Sequence, residues 1–241
     1  MRFAEILNSF VPVLISERAG IAVPLVAYLI GVWVQRLSLG ASLANPPLIG
    51  IVITALVALT LPASAPEFHK GADALFGLIG PATVAFAVPL YRNRALIANS
   101  AREIIGIIAF GSCAALSIAA ACALLLGLPR DLVLSVAPKS TTAAIAMGVA
   151  ERVGGVASIT VVVVILTGLT TAVSITFILD RLGVRDPRAR GLTAGICGHA
   201  LATARMFQID QTMGAFSSLA IGLAGIGTAL AVPILATLLW R

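Results

Sequence analysis

Apolar residues run along this chain in long uncharged stretches, at 19–35, 37–66, 74–91, 104–129, 154–179 and 211–240, with most of the arginines between them. Most stretches reach or exceed the roughly 20 residues that a spanning helix needs. They are built of Leu, Ile, Val, Ala and Gly with little apolar/polar alternation, which favours helices over the strands of a barrel. The pattern predicts an all-α polytopic membrane protein with about seven or eight membrane elements, forming a single membrane domain over residues 1–241. Composition agrees. Of 241 residues, 59% are hydrophobic and 11% charged, and the mean hydropathy is +1.06, a surface that a water-soluble domain could not solvate.

One position breaks the apolar pattern most sharply. Lys139 lies inside the otherwise uncharged run 132–150, preceded by Pro138 and followed by Ser140, Thr141 and Thr142. A lysine at bilayer depth costs about 2.5 to 3.5 kcal/mol even on the lenient insertion scale, so a local arrangement must offset it. Proline interrupts the helical ladder and pre-sets the first turn of a new helix, and hydroxyls satisfy the freed backbone groups. The segment therefore reads as two half-helices meeting near mid-membrane. The start of the second half would offer unpaired N–H groups, a partial positive charge, three hydroxyls and an ammonium to a small anion. The alternative is a helix of shifted register from which Lys139 snorkels to an interface.

Three other interruptions resemble the first. Asn45-Pro46-Pro47 opens an apolar run, Gly80-Pro81-Ala82-Thr83 sits inside another, and 198–205 places His199 and Arg205 among small residues. Paired broken segments in two halves of a chain point to a substrate site at a repeat interface, here with repeat halves of about 1–103 and 104–241. Chance likeness within an apolar alphabet is the competing explanation.

The net charge of +6 comes from arginines at the ends of the stretches, which suits membrane orientation and not nucleic acid. The loop with Arg92, Arg94 and Arg102 and the loop with Arg181, Arg185, Arg188 and Arg190 should both face the cytoplasm. Three apolar stretches lie between them, so one is expected to be re-entrant, and the candidate is 131–152. Residues 1–20 read as a short amphipathic or helical lead-in without a cleavage signature. Cys113, Cys122 and Cys197 lack metal-ligand spacing and read as inert packing residues. Trp33 and Trp240 lie near stretch ends, as interface anchors do. No metal-ligand spacing, paired intramembrane carboxylates or nucleophile elbow suggests an enzyme, and no cofactor is expected.

The motifs Asn45-Pro46-Pro47-Leu48-Ile49, Gly80 to Ala85 running on to Val88-Pro89-Leu90-Tyr91, Pro138-Lys139-Ser140-Thr141-Thr142, Gly198 to Arg205 and Gly214 to Ala220 resemble those of the LrgB/CidB family, in order and over nearly the whole chain. Members of that family were first described as antiholin-like regulators of murein hydrolases. A plastid relative is a glycolate/glycerate translocator, and some bacterial relatives are linked to pyruvate uptake. The resemblance implies a transporter of small monocarboxylates in the bacterial cytoplasmic (inner) membrane, with a broken-helix inverted-repeat architecture. It also implies a separate LrgA/CidA-type membrane partner or a homo-oligomer. Two departures stand out: Ala143 and Ala144 follow the Thr pair where many relatives have a proline, and Gly198 stands where a serine is expected.

For a two- or three-carbon carboxylate, Lys139 would supply charge and Ser140, Thr141 and Thr142 the donors of the half-helix start. Asn45, Thr83, Thr203 and Ser217 are further candidate contacts. Arg205 could bind a carboxylate bidentately, or could mark a helix end or pair with Asp210. His199 could titrate near physiological pH or be a hydrogen-bonded packing residue. Ser217 and Ser218 could instead cap a helix after Gly214. The competing function is a holin- or antiholin-like pore component regulating murein hydrolase export and autolysis. Gly191 and Gly195, at helical spacing, would then suit helix packing and oligomerisation.

Overall fold

Proline and capping residues set most of the helix starts. The computed structural model describes residues 16–38, 44–61, 66–78, 81 and 84–240, and its regular elements there are all helices. The chain divides into two compact units, 1–85 and 86–241, each described by itself. In the first unit, α1 (Glu17–Leu37) is capped by Ser16, whose side chain accepts from Ala19 N–H. The expected lead-in over 1–20 lies mostly outside the described residues; its end, from Glu17, is the first turn of α1. Helix α2 (Pro46–Thr60) starts as its Asn-Pro-Pro opening predicts, with Pro46 in the first turn and Asn45 Oδ1 accepting from Leu48 N–H. Helix α3 (Pro66–Phe76) crosses α1 so closely that Gly20 and Gly71 touch backbone to backbone, leaving no room for a Cβ on either.

The second unit holds two short helices, α4 (Ala87–Arg92) and α5 (Arg94–Asn99), and then α6 (Ala101–Leu125). After α6 come α7 (Arg130–Val136), α8 (Ala143–Val153) and α9 (Ala157–Arg181), followed by α10 (Pro187–Ile209) and α11 (Gln211–Leu239). Four helices, α1, α6, α9 and α11, are long and apolar enough to cross a membrane. The protein is an all-α polytopic integral membrane protein.

Helix α10 is the centre of the second unit. One side packs Leu192 and Ile196 against Ile104 and Ile108 of α6 and Phe216, Ala220 and Ala224 of α11. Another packs Ala194, Ala202 and Met206 against Ala172, Ile175 and Leu179 of α9. Gly191 lies on the Met213 carbonyl, and Gly195 on the Ser217 carbonyl, with the Ala220 Cβ only 2.7 Å from where a Cβ of Gly195 would stand. This glycine spacing thus serves close helix packing, as its sequence suggests, at the α10–α11 seam within the chain; any side chain there would force the two backbones apart.

Helices α7 and α8 form a hairpin. The Val156 N–H donates to Ser135 Oγ at 2.7 Å, so the chain just past α8 returns to the last turn of α7. A Cβ on Gly155 would stand 3.0 Å from the Ser135 nitrogen, so the return is tight. At 7 and 11 residues the two helices are about 10 and 16 Å long, against a hydrocarbon core of about 30 Å. At the open end of the hairpin, Arg130 and Asp131 begin α7 and Glu151 and Arg152 lie in the last turn of α8, all four exposed. Its other end is the predicted Pro138 break. Val133 packs beside Ala120 and Ala123, and Ala137 beside Leu116, so the tip runs alongside α6 to near that helix's midpoint.

Candidate functional site

The hairpin tip is built from turn bonds and leaves donors over. Lys139 N–H donates to Val136 O at 3.1 Å and Thr141 N–H to Pro138 O at 3.2 Å. Helix α8 then starts at Ala143 as a regular helix, straight through the Ala143-Ala144 pair. Thr142 occupies the cap position in an extended conformation, but its side chain makes no capping bond. The N–H groups of the first α8 turn therefore have neither an intrahelical nor a side-chain acceptor there. The Ser140 and Thr141 hydroxyls, on residues 9% and 1% exposed, are buried without any hydrogen-bond partner. Lys139 is half-buried and joins no ion pair among the described residues. Gly225, the middle residue of α11, closes the other side: a Cβ there would stand 2.9 Å from Ile145 Cδ1 and 3.3 Å from Thr141 Oγ1. Lys139, two unpartnered hydroxyls and the uncapped start of a helix thus follow one another at the tip, groups of the kind that can hold an anion.

The second break lies opposite, in the middle of α10. His199 adopts φ 40° and ψ −135°, splitting the helix into 187–198 and 200–209. Such a conformation costs a non-glycine residue about 1 to 3 kcal/mol and persists only where the surroundings enforce it. Here they do. His199 Nε2 is 2.9 Å from Val164 O, and since a carbonyl only accepts, Nε2 carries the proton. Gly168 makes room for the ring, because a Cβ would approach the imidazole to 2.5 Å. The carbonyls freed by the break find hydroxyls: Thr203 donates to His199 O at 2.8 Å, and Thr171 reaches Cys197 O at 3.4 Å while bonding Thr167 O at 2.8 Å. Thr203 and Ser217 oxygens are 2.6 Å apart. Both breaks lie against α11, the hairpin tip at Gly225 and the α10 break at Ser217.

Seven of the ten sequence candidates fall at these two breaks: Lys139, Ser140, Thr141 and Thr142 at the tip, and His199, Thr203 and Ser217 at the α10–α11 seam. Arg205 lies farther along α10, where its Nη1 donates to Gln208 Oε1 at 3.2 Å. Asn45 is in the first unit, buried and engaged as the α2 cap. Thr83, with the Gly80 and Ala82 of its motif, lies outside the described residues.

Three expectations are corrected. Ser217 and Ser218 do not cap a helix, because α11 begins earlier, with Asp210 Oδ1 accepting from Met213 N–H. Cys113 and Cys122 are exposed on α6 and do not pack, and Cys197 is half-buried beside the break. The serine expected at 198 would not fit either: a Cβ there would stand 2.6 Å from both Thr171 and Ala202. The sequence reading overlooked Val164, Gly168, Thr171 and Gly225, whose roles are a carbonyl, two clearances and a back-bonded hydroxyl. Only the Gly168 and Gly225 positions inside apolar runs could have hinted at close approach.

Residues 24–238 match the LrgB-like family. The chain belongs to the LrgB-like family. Among its relatives, the uncharacterized protein YwbG of Bacillus subtilis is 37% identical over 182 residues, covering 75% of this chain and 81% of that protein. Antiholin-like protein LrgB of Bacillus mycoides is 29% identical over 215 residues, covering 89% and 94%. The antiholin-like protein LrgB of Bacillus cereus aligns equally well. No solved structure matches. Both breaks of this LrgB-like chain fall within the matched region.

Proposed function

We propose that this protein transports a small monocarboxylate, of the pyruvate, lactate, glycolate or glycerate class, across a bacterial cytoplasmic membrane. The observation that carries the reading is the pair of buried, unpartnered hydroxyls of Ser140 and Thr141 at the uncapped start of α8, beside Lys139. A buried hydroxyl without a partner costs about 1 to 3 kcal/mol, and a carboxylate arriving there would relieve two at once. Lys139 offsets the anion's charge, the first-turn N–H groups of α8 replace its water, and the α10 break at His199 forms the facing wall. In this reading Thr203 and Ser217 hold the wall in shape, since both are wholly buried and bonded to one another. The test is uptake of labelled pyruvate, lactate and glycolate into proteoliposomes containing this chain, with Lys139→Ala in parallel and a trapped dye as leak control. Saturable uptake lost in the variant, with the dye retained, is the expected result; dye release unchanged by Lys139→Ala would overturn it.

A second reading rests on the name that relatives carry, antiholin-like protein LrgB. On that reading the chain is a pore component or regulator of autolysis, acting with a smaller LrgA/CidA-type membrane protein. Repeating the uptake and dye assays with such a partner added separates the two, because a pore passes unrelated solutes and a transporter shows competition among carboxylates.

A further inference from the structure

Many hydroxyls inside the helices of the second unit share one habit. Ser135, Thr160, Thr171, Thr193 and Ser218 each donate to the carbonyl four residues back. Ser112 of α6 does not. Its residue is 8% exposed, and its Oγ is buried with no partner. It lines a cavity of about 330 Å³ between α6 and α11, whose walls include Ala109, Cys113, Leu116, Gly227 and Ala231. The small residues recur four apart on each helix, Ala109 and Cys113 on one and Gly227 and Ala231 on the other. This is the spacing that lets a further helix approach closely in a membrane. Lipid tails could fill the space but could not bond Ser112.

We propose that this groove is a two-fold interface with a second copy of the same chain. A serine both donates and accepts, and rotation about its Cα–Cβ bond turns the buried Ser112 hydroxyl into the groove, where it can pair with its own symmetry mate across the axis and satisfy both copies. Each copy offers protrusions as well as the groove: Phe110, Ile226 and Leu230 stand largely exposed along its edges. Charge is self-complementary too. Arg102 and Glu103, adjacent at the start of α6, are exposed and in no ion pair among the described residues, so each can face the opposite charge of a second copy in the same orientation.

Cys113 lies in the groove, exposed, and provides the test. Full-length protein with Cys122→Ala and Cys197→Ala is reconstituted in vesicles of plain phospholipid and treated with a short bifunctional thiol reagent. A chain-to-chain adduct through Cys113 is expected, and a companion protein whose sole cysteine is Cys122 should give about tenfold less. Gly227→Phe fills the groove from a position where a Cβ meets nothing within 4 Å, and should cut the adduct about tenfold with helix content unchanged. Ser112→Leu fills it from the other wall and serves if the first variant does not fold. Absence of the adduct, equal adduct from Cys122, or an adduct indifferent to both fillings would overturn the proposal, as would Cys113 crosslinked in native membranes only to a different protein.

Discussion

Thr203 and Ser217 share a hydrogen bond whose direction the surroundings settle. The Thr203 hydroxyl has one proton and gives it to His199 O, so the proton between the two oxygens, 2.6 Å apart, belongs to Ser217. The chain of donation runs from α11 through Thr203 to the carbonyl at the α10 break. Ser217→Ala removes the outer link only and should cost about 0.6 kcal/mol, the usual value for one such bond between membrane helices. Thr203→Val removes both links and strands Ser217 in a buried site, so it should cost more, about 1 to 3 kcal/mol. Unfolding in mixed micelles gives the ranking; an equal or reversed order would refute the direction.

Ser140 and Thr141 reverse the usual expectation for polar-to-apolar changes. Neither hydroxyl has a partner, so Ser140→Ala and Thr141→Val should leave stability unchanged or raise it. On the proposed function, apparent affinity for the carboxylate should fall about fivefold for each, corresponding to about 1 kcal/mol. Paired measurements of unfolding and uptake KM check this, and a loss of stability without a change in KM would show that the hydroxyls serve the fold.

The glycines at the α10 break are steric and should be intolerant. Gly168→Ala drives a methyl into the His199 imidazole, and Gly198→Ser sets a side chain against Thr171 and Ala202. Each should cost about 1 to 3 kcal/mol, the range for overpacking. Gly222→Ala, where a Cβ meets nothing within 4 Å, is the matched control and should be silent in the same unfolding assay.

A hairpin that turns back does not change the count of crossings. With α6 and α9 as the two crossings, the loops at their outer ends share a side, and the arginine bias makes it the cytoplasmic one. Ser100→Cys and Gly183→Cys, each in a cysteine-free background, should therefore react with an impermeant maleimide only in inside-out vesicles. Labelling of the two from opposite faces would show that residues 130–153 cross.

The start of α10 gives a pH prediction. Asp186 caps the helix by accepting from Arg188 N–H and pairs with the Arg188 guanidinium, and these bonds hold its carboxyl below the ordinary carboxylate range. A lowered carboxyl contributes stability that is present above its unfolded value of about 3.9 and is lost as pH falls through the folded one. Wild type and Asp186→Asn should thus differ by a constant amount from pH 5 to 8 and converge only under strong acid. Asp186→Ala, which also removes the cap acceptor, should cost about 1 kcal/mol more than Asn across that range. Melting curves of the three proteins over pH would decide it.

The spanning helices were legible in the sequence because an uncharged run of sufficient length has few alternatives in a bilayer. The Pro138 break was legible for a related reason: a lysine in such a run demands local polar company. His199 was harder to read. Its strained backbone is imposed by the Val164 carbonyl, the clearance at Gly168 and the hydroxyls of Thr171 and Thr203, and three of those four lie on another helix. Ser217 misled in the opposite direction, since a serine pair after a glycine suits a cap, whereas Asp210 had already capped α11. The glycines at 191 and 195 showed that a close contact existed but not with what, because spacing specifies a face and leaves its partner open.

The α7–α8 hairpin has a consequence for how the site comes into being. Each arm is shorter than the hydrocarbon is thick, and its charged residues gather at the open end, so lipid alone offers this segment no reason to enter. What draws it in is Leu116, Val232 and the other side chains of α6 and α11 against which it packs. Lys139 is therefore carried to the level of the middle of α6 as a passenger of the assembled bundle. A fragment holding residues 130–153 apart from those helices would rest at the membrane surface, with its lysine in water and its tip without the wall that α11 provides at Gly225.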